Sequence, residues 1–129
     1  MDQYLDIQNE KIGRDGLNAI QRRAQFMAKL DEHHIAYEVG IRYGDQPDPH
    51  DSRALLRLYI TISPSCNISA LFSPNCVVGG YIETMIWIPQ YVLNRYHSLD
   101  VSDIDGIAKW SASEELLQYI LKIKRVLKV

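Results

Sequence analysis

The sequence predicts an α+β domain with an N-terminal helix, an antiparallel sheet of three to four strands, and C-terminal helices. Three observations predict it. Apolar residues recur at spacings of three and four in Leu17, Ile20, Ala24, Met27 and Leu30, and a broad apolar face runs from Leu116 to Leu127, as helices with a buried stripe require. Between them the period falls to two, the mark of half-buried strands. Helical and extended stretches are segregated, not alternating, which speaks against a doubly wound parallel sheet.

The first helix is expected over about residues 16–33, with Asp15 as its N-cap. Ile35, Tyr37, Val39, Ile41 and Tyr43 then alternate with Ala36, Glu38, Gly40 and Arg42, giving the first strand. The segment Gly44 to Ser52 holds Pro47 and Pro49, neither with an amide donor, and reads as a polar loop. A second strand covers about Leu55 to Ile62, with Leu56, Leu58, Ile60 and Ile62 on one face and Leu55, Arg57, Tyr59 and Thr61 on the other. Strands adjacent in sequence pair antiparallel in the simplest topology. Ser63-Pro64-Ser65-Cys66 and Ser73-Pro74-Asn75-Cys76 read as turns flanking a short edge strand, Ile68 to Phe72. The third strong strand covers about Val77 to Ile88.

After Pro89, which suits the first helical position, a short helix is expected to about His97, and another from Ser102 or Asp103 through Trp110. Ser111-Ala112-Ser113-Glu114 has the spacing of a capping box, a serine with a glutamate three residues on. Glu114 and Glu115 at the start of the last helix and Lys122, Lys124, Arg125 and Lys128 at its end complement the helix dipole.

With 129 residues the chain is expected to form one domain, 1–129. At this size roughly two-thirds of the unfolded surface can be buried, so the core needs neither disulfide nor metal. The net charge of −2 argues against nucleic acid as a partner, because phosphate binding needs a basic face. No apolar run approaches the ~20 residues that span a bilayer, and MDQYLDIQNEK lacks the basic-then-apolar pattern of an export signal. The expectation is therefore a cytoplasmic protein that does not insert in membranes, with Cys66 and Cys76 reduced.

No motif for a hydrolase nucleophile, a phosphate-cradling loop, a dinucleotide fold or a zinc site occurs. Asp45, Asp48, His50 and Asp51 share one loop, a donor set that could hold a divalent metal or a general base. The two prolines of that loop leave no regular scaffold to converge the donors, and the carboxylates read as turn-formers. As an acidic patch, Asp45, Asp48 and Asp51, with Glu38, could steer a cationic partner. Asp100, Asp103 and Asp105-Gly106 resemble part of a calcium loop, but Val101 and Ala112 stand where two obligatory ligands belong, so helix capping explains them better. Neighbouring His33 and His34 point apart at a helix end and chelate poorly, and His97 reads the same way.

The third strand is the informative one. Tyr81, Glu83, Met85 and Trp87 have the opposite parity to Ile82, Ile86 and Ile88, so the strand is apolar on both faces. Such a strand is covered on both sides, by its own helices or by a partner. The two helical stripes need an apolar bed and are expected on the aliphatic side. That leaves Arg57, Tyr59, Tyr81, Glu83, Met85 and Trp87 as a candidate partner-binding face. The functional expectation is a non-enzymatic protein-binding module without cofactor or metal: a small adaptor, a chaperone, or a cognate inhibitor such as a toxin-immunity protein. Its partner is another protein or a second copy of the chain. The alternative is a small metal-dependent hydrolase or nuclease using loop 45–51.

Overall fold

The computed structural model describes residues 19–40, 57–73, 81–103 and 105–129. Helix α1 spans Ala19–Glu32. Its buried residues are Ala19, Arg22, Phe26 and Leu30, so the stripe is rotated from the expected one, with Ile20 and Met27 half-buried and Ala24 exposed. Phe26 decides the rotation. Its ring packs 5.8 Å from that of Phe72, at 52° between planes. The helix ends where His34 enters the left-handed region at φ 55. The Ile35 amide then donates to the Leu30 carbonyl at 2.9 Å and the His34 amide to that of Asp31 at 3.1 Å, which satisfies two end carbonyls.

Among the described residues five strands form one sheet: β1 (Ala36–Val39), β2 (Arg57–Ser63), β3 (Cys66–Ser73), β4 (Tyr81–Trp87) and β5 (Ile107–Trp110). They lie in chain order and every neighbouring pair is antiparallel. The α+β class stands, with five strands where the sequence predicts three to four. The segment Ile68 to Phe72 is not an edge. It belongs to the middle strand, β3, which pairs with β2 and β4 along its length. Pro64-Ser65 makes the tight turn into it, with Ser63 opposite Cys66.

The second correction is β5, which occupies the place of the helix expected through Trp110. Asp103 caps a turn instead of a helix: its Oδ1 accepts from the amides of Asp105 at 2.9 Å and Ile107 at 3.0 Å. Gly106 takes φ 78, a conformation that favours glycine, and the chain reverses into the sheet. Thr84 then holds β5 in place. Its hydroxyl accepts from Trp110 Nε1 at 2.9 Å and donates to the Ala108 carbonyl at 3.1 Å.

Helix α2 (Gln90–Arg95) follows β4, with Pro89 at its N-cap and not inside it, and one 3-10 turn at His97–Leu99. Helix α3 spans Ser113–Leu127. Ala112 is its N-cap and makes no side-chain cap bond, so the capping box does not form. Glu114 accepts from Gln118 Nε2 at 2.9 Å instead. Lys128 ends the helix in the left-handed region, its amide on the Lys124 carbonyl.

Both long helices pack on one face of the sheet, because Phe26 meets Phe72 and Tyr119 meets Trp110, residues of one register row. Leu58, Ile60, Ile68, Ala70, Phe72 and Ile82 fill that face against Leu30, Leu116, Ile120 and Ile123. Each of the Leu, Ile and Phe side chains contributes roughly 1.5–3 kcal/mol by leaving water.

Candidate functional site

The strand register brings all six residues of the candidate face together. Arg57, Leu71, Glu83 and Lys109 form one row across β2 to β5. Glu38, Tyr59, Ser69, Met85 and Ile107 form the next, spanning all five strands. Thr61, Asn67 and Trp87 form a third, and Tyr81 stands opposite Ser73. Every one of these positions has the opposite parity to the residues under the helices.

Cover on this face is graded. At its centre, Ser69 and Leu71 of β3 are buried, at 7% and 5% exposure. Arg57, Tyr59, Tyr81 and Glu83 are half-buried. Met85 and Trp87 stand out at 45% and 44% exposure. The face is therefore not a uniformly bare sheet: its apolar exposure is concentrated on β4 toward the Trp87 end.

The polar groups of the face are partly engaged. Arg57 Nη1 donates to Ser69 Oγ at 3.2 Å, and Lys109 Nζ lies 5.6 Å from the centre of the Tyr81 ring, in cation–π range. Arg57, Glu83 and Lys109 alternate in sign along their row. A surface of this kind offers an apolar anchor with mixed charges around it, the arrangement found in protein interfaces. Lys109 and Ile107 belong to the face and were not legible in the sequence. Their signal, the alternation of Ile107 and Lys109 with Ala108 and Trp110, is four residues long and lies beside a strong capping signal.

The other candidate groups have structural explanations or fall elsewhere. Asp45, Asp48, His50, Asp51 and Cys76 lie outside the described residues. His34 caps α1, and His97 Nε2 donates to the Asn94 carbonyl at 2.6 Å. Cys66 is a free, fully buried thiol, and burial pushes it up to about 11, where it is no nucleophile at neutral pH. Among the described residues, no group of three or more His, Cys, Asp or Glu side chains could hold a metal ion, and no helix is long and apolar enough to cross a membrane.

In comparisons with known proteins, no family model, no curated protein and no solved structure matches this chain.

Proposed function

We propose that this chain is a non-enzymatic protein-binding module whose recognition surface is the face of the sheet opposite α1 and α3, which no helix of the described residues covers. The observation that carries the reading is the exposure of Met85 and Trp87 on a strand whose opposite side is sealed by the chain's own helices. Trp, Met and Tyr, present here as Trp87, Met85, Tyr59 and Tyr81, are among the residue types enriched at interface cores. The reading covers a small adaptor, a chaperone or a cognate inhibitor such as a toxin-immunity protein, working in the cytoplasm on another protein or on a second copy of this chain. It needs no cofactor. The alternative, a metal-dependent hydrolase or nuclease using loop 45–51, rests on residues outside the described ones.

The test is affinity capture from the native host with wild-type and Trp87→Ala baits, run beside sedimentation of the isolated chain. One stoichiometric protein held by the wild type and lost by the variant supports the reading, as does a wild-type dimer that Trp87→Ala dissociates. Equal capture by both baits, or metal-dependent turnover that His50→Ala abolishes, overturns it.

A further inference from the structure

Beside Trp87 the sheet ends in a cavity of about 340 Å³, within the range of about 300–1,000 Å³ typical of ligand pockets. Trp87, Ile88, Leu93 and Leu99 give it apolar walls, drawn from the end of β4, from α2 and from the 3-10 turn. Asp100, Ser102 and Ser65 supply its polar groups. Below them is Tyr119, which donates to the Leu99 carbonyl at 2.5 Å and is thereby occupied. Burial, then Cys66 and the Asp100 carboxylate, raise the Tyr119 hydroxyl and keep it neutral. The nearest cation in sequence on α3, Lys122, donates to Ser98 Oγ at 3.0 Å. The cavity thus joins an apolar wall to a carboxylate at an exposed position.

We infer that this cavity takes an aliphatic chain ending in a cation, and that in the complex it receives a lysine or arginine side chain of the partner. The inference rests on the protein-binding reading and deepens it. Trp87 lines the cavity and also belongs to the candidate face, so the two adjoin at the end of β4. Methylenes lie along Trp87, Ile88 and Leu93, and the charged end meets Asp100. A neutral or anionic end leaves the carboxylate unanswered or repelled.

The experiment is a titration of the full chain, followed by proton–nitrogen correlation spectra, with four probes: n-pentylammonium, 1-pentanol, pentanoate and Nα-acetyl-lysine N-methylamide. The expected result is perturbation of the Trp87 indole and of the Leu99–Ser102 amides, with pentylammonium about three-fold tighter than pentanol and pentanoate weakest. Asp100→Asn, at an exposed position, is expected to remove the preference for the amine and leave pentanol binding unchanged. Leu93→Trp is expected to fill the cavity and abolish binding of all four probes. Pentanol binding as tightly as the amine, an amine preference that survives Asp100→Asn, or perturbations away from these residues overturns the inference. The lysine derivative separates the two sources of such a chain. Binding at least as tight as pentylammonium supports a partner side chain, and exclusion of the derivative assigns the cavity to a free amine and overturns the partner claim. Absence of an amine preference in the wild type, with capture through Trp87 intact, removes the cavity's role alone. Loss of capture with the preference intact removes the binding-face reading.

Discussion

The two faces of β4 differ sharply in exposure. On one side Ile82 and Thr84 are 1% and 0% exposed beneath α1 and α3, while on the other Met85 and Trp87, one to five residues further on, stand nearly half exposed. Both sides carry apolar residues. What separates them is the supply of cover. Two amphipathic helices seal one face of a five-stranded sheet, and among the described residues the other face is buried at its centre, on β3, and more exposed on β4. Apolar character in a strand therefore marks a demand for cover, and the direction in which the helices pack decides which half of that demand is met within the chain.

The largest expected effect is on the sealed side. Phe72 is fully buried against Phe26, so Phe72→Ala should remove about 3–5 kcal/mol, read as a lowered urea midpoint with an unchanged slope. A loss below about 1 kcal/mol would mean that the helices do not seal this face.

Cys66, on the same side, gives a pH test. Its thiol titrates at about 11 in the fold against 9.0 when exposed, so the folded state holds the proton more tightly. The stabilisation is fully present below pH 9 and is lost as pH rises toward 11. Wild type should therefore lose about 2–3 kcal/mol more than Cys66→Ala between pH 8 and pH 11. Parallel pH profiles would show that the thiol is not sequestered.

Thr84 tests the buried polar tie between β4 and β5. Thr84→Val keeps the shape and leaves Trp110 Nε1 and the Ala108 carbonyl without their partner, at an expected loss of about 1–2 kcal/mol in the same urea assay. The smallest effect is expected on the open face: Met85→Ala should move stability by no more than about 0.5 kcal/mol. A loss equal to that of Thr84→Val would erase the contrast between the faces.

How much of this was legible in the sequence follows from signal length. β2 and β4 alternate over seven residues each, and their parity alone placed Arg57, Tyr59, Tyr81, Glu83, Met85 and Trp87 on one face. The alternation of Cys66, Ile68, Ala70 and Phe72 was present too. The prolines and serines around it made β3 read as an edge, although Pro64 serves only the turn. α1 was legible as a helix but not in its rotation, because Phe26 outweighs the smaller residues of the expected stripe through one aromatic contact. β5 was not legible. Asp103 and Gly106 cap turns as readily as helices, and the contacts that hold the strand, the pairing with β4 and the bonds of Thr84, are distant in sequence. The cavity beside Trp87 was beyond sequence reasoning, since its lining runs from Ser65 to Tyr119 and converges only in three dimensions.

The central claim is that the open face belongs to association and not to the fold, and Trp87→Ala tests it most directly. The measurement is the dissociation constant of the folded variant for the partner that wild type retains, or for a second copy, taken beside its urea midpoint. The account predicts affinity weakened by about 30-fold or more, the effect of losing roughly 2 kcal/mol at a buried aromatic anchor, with the midpoint close to that of wild type. An unchanged affinity, or a variant that unfolds as an isolated chain, would contradict it and return Trp87 to the core.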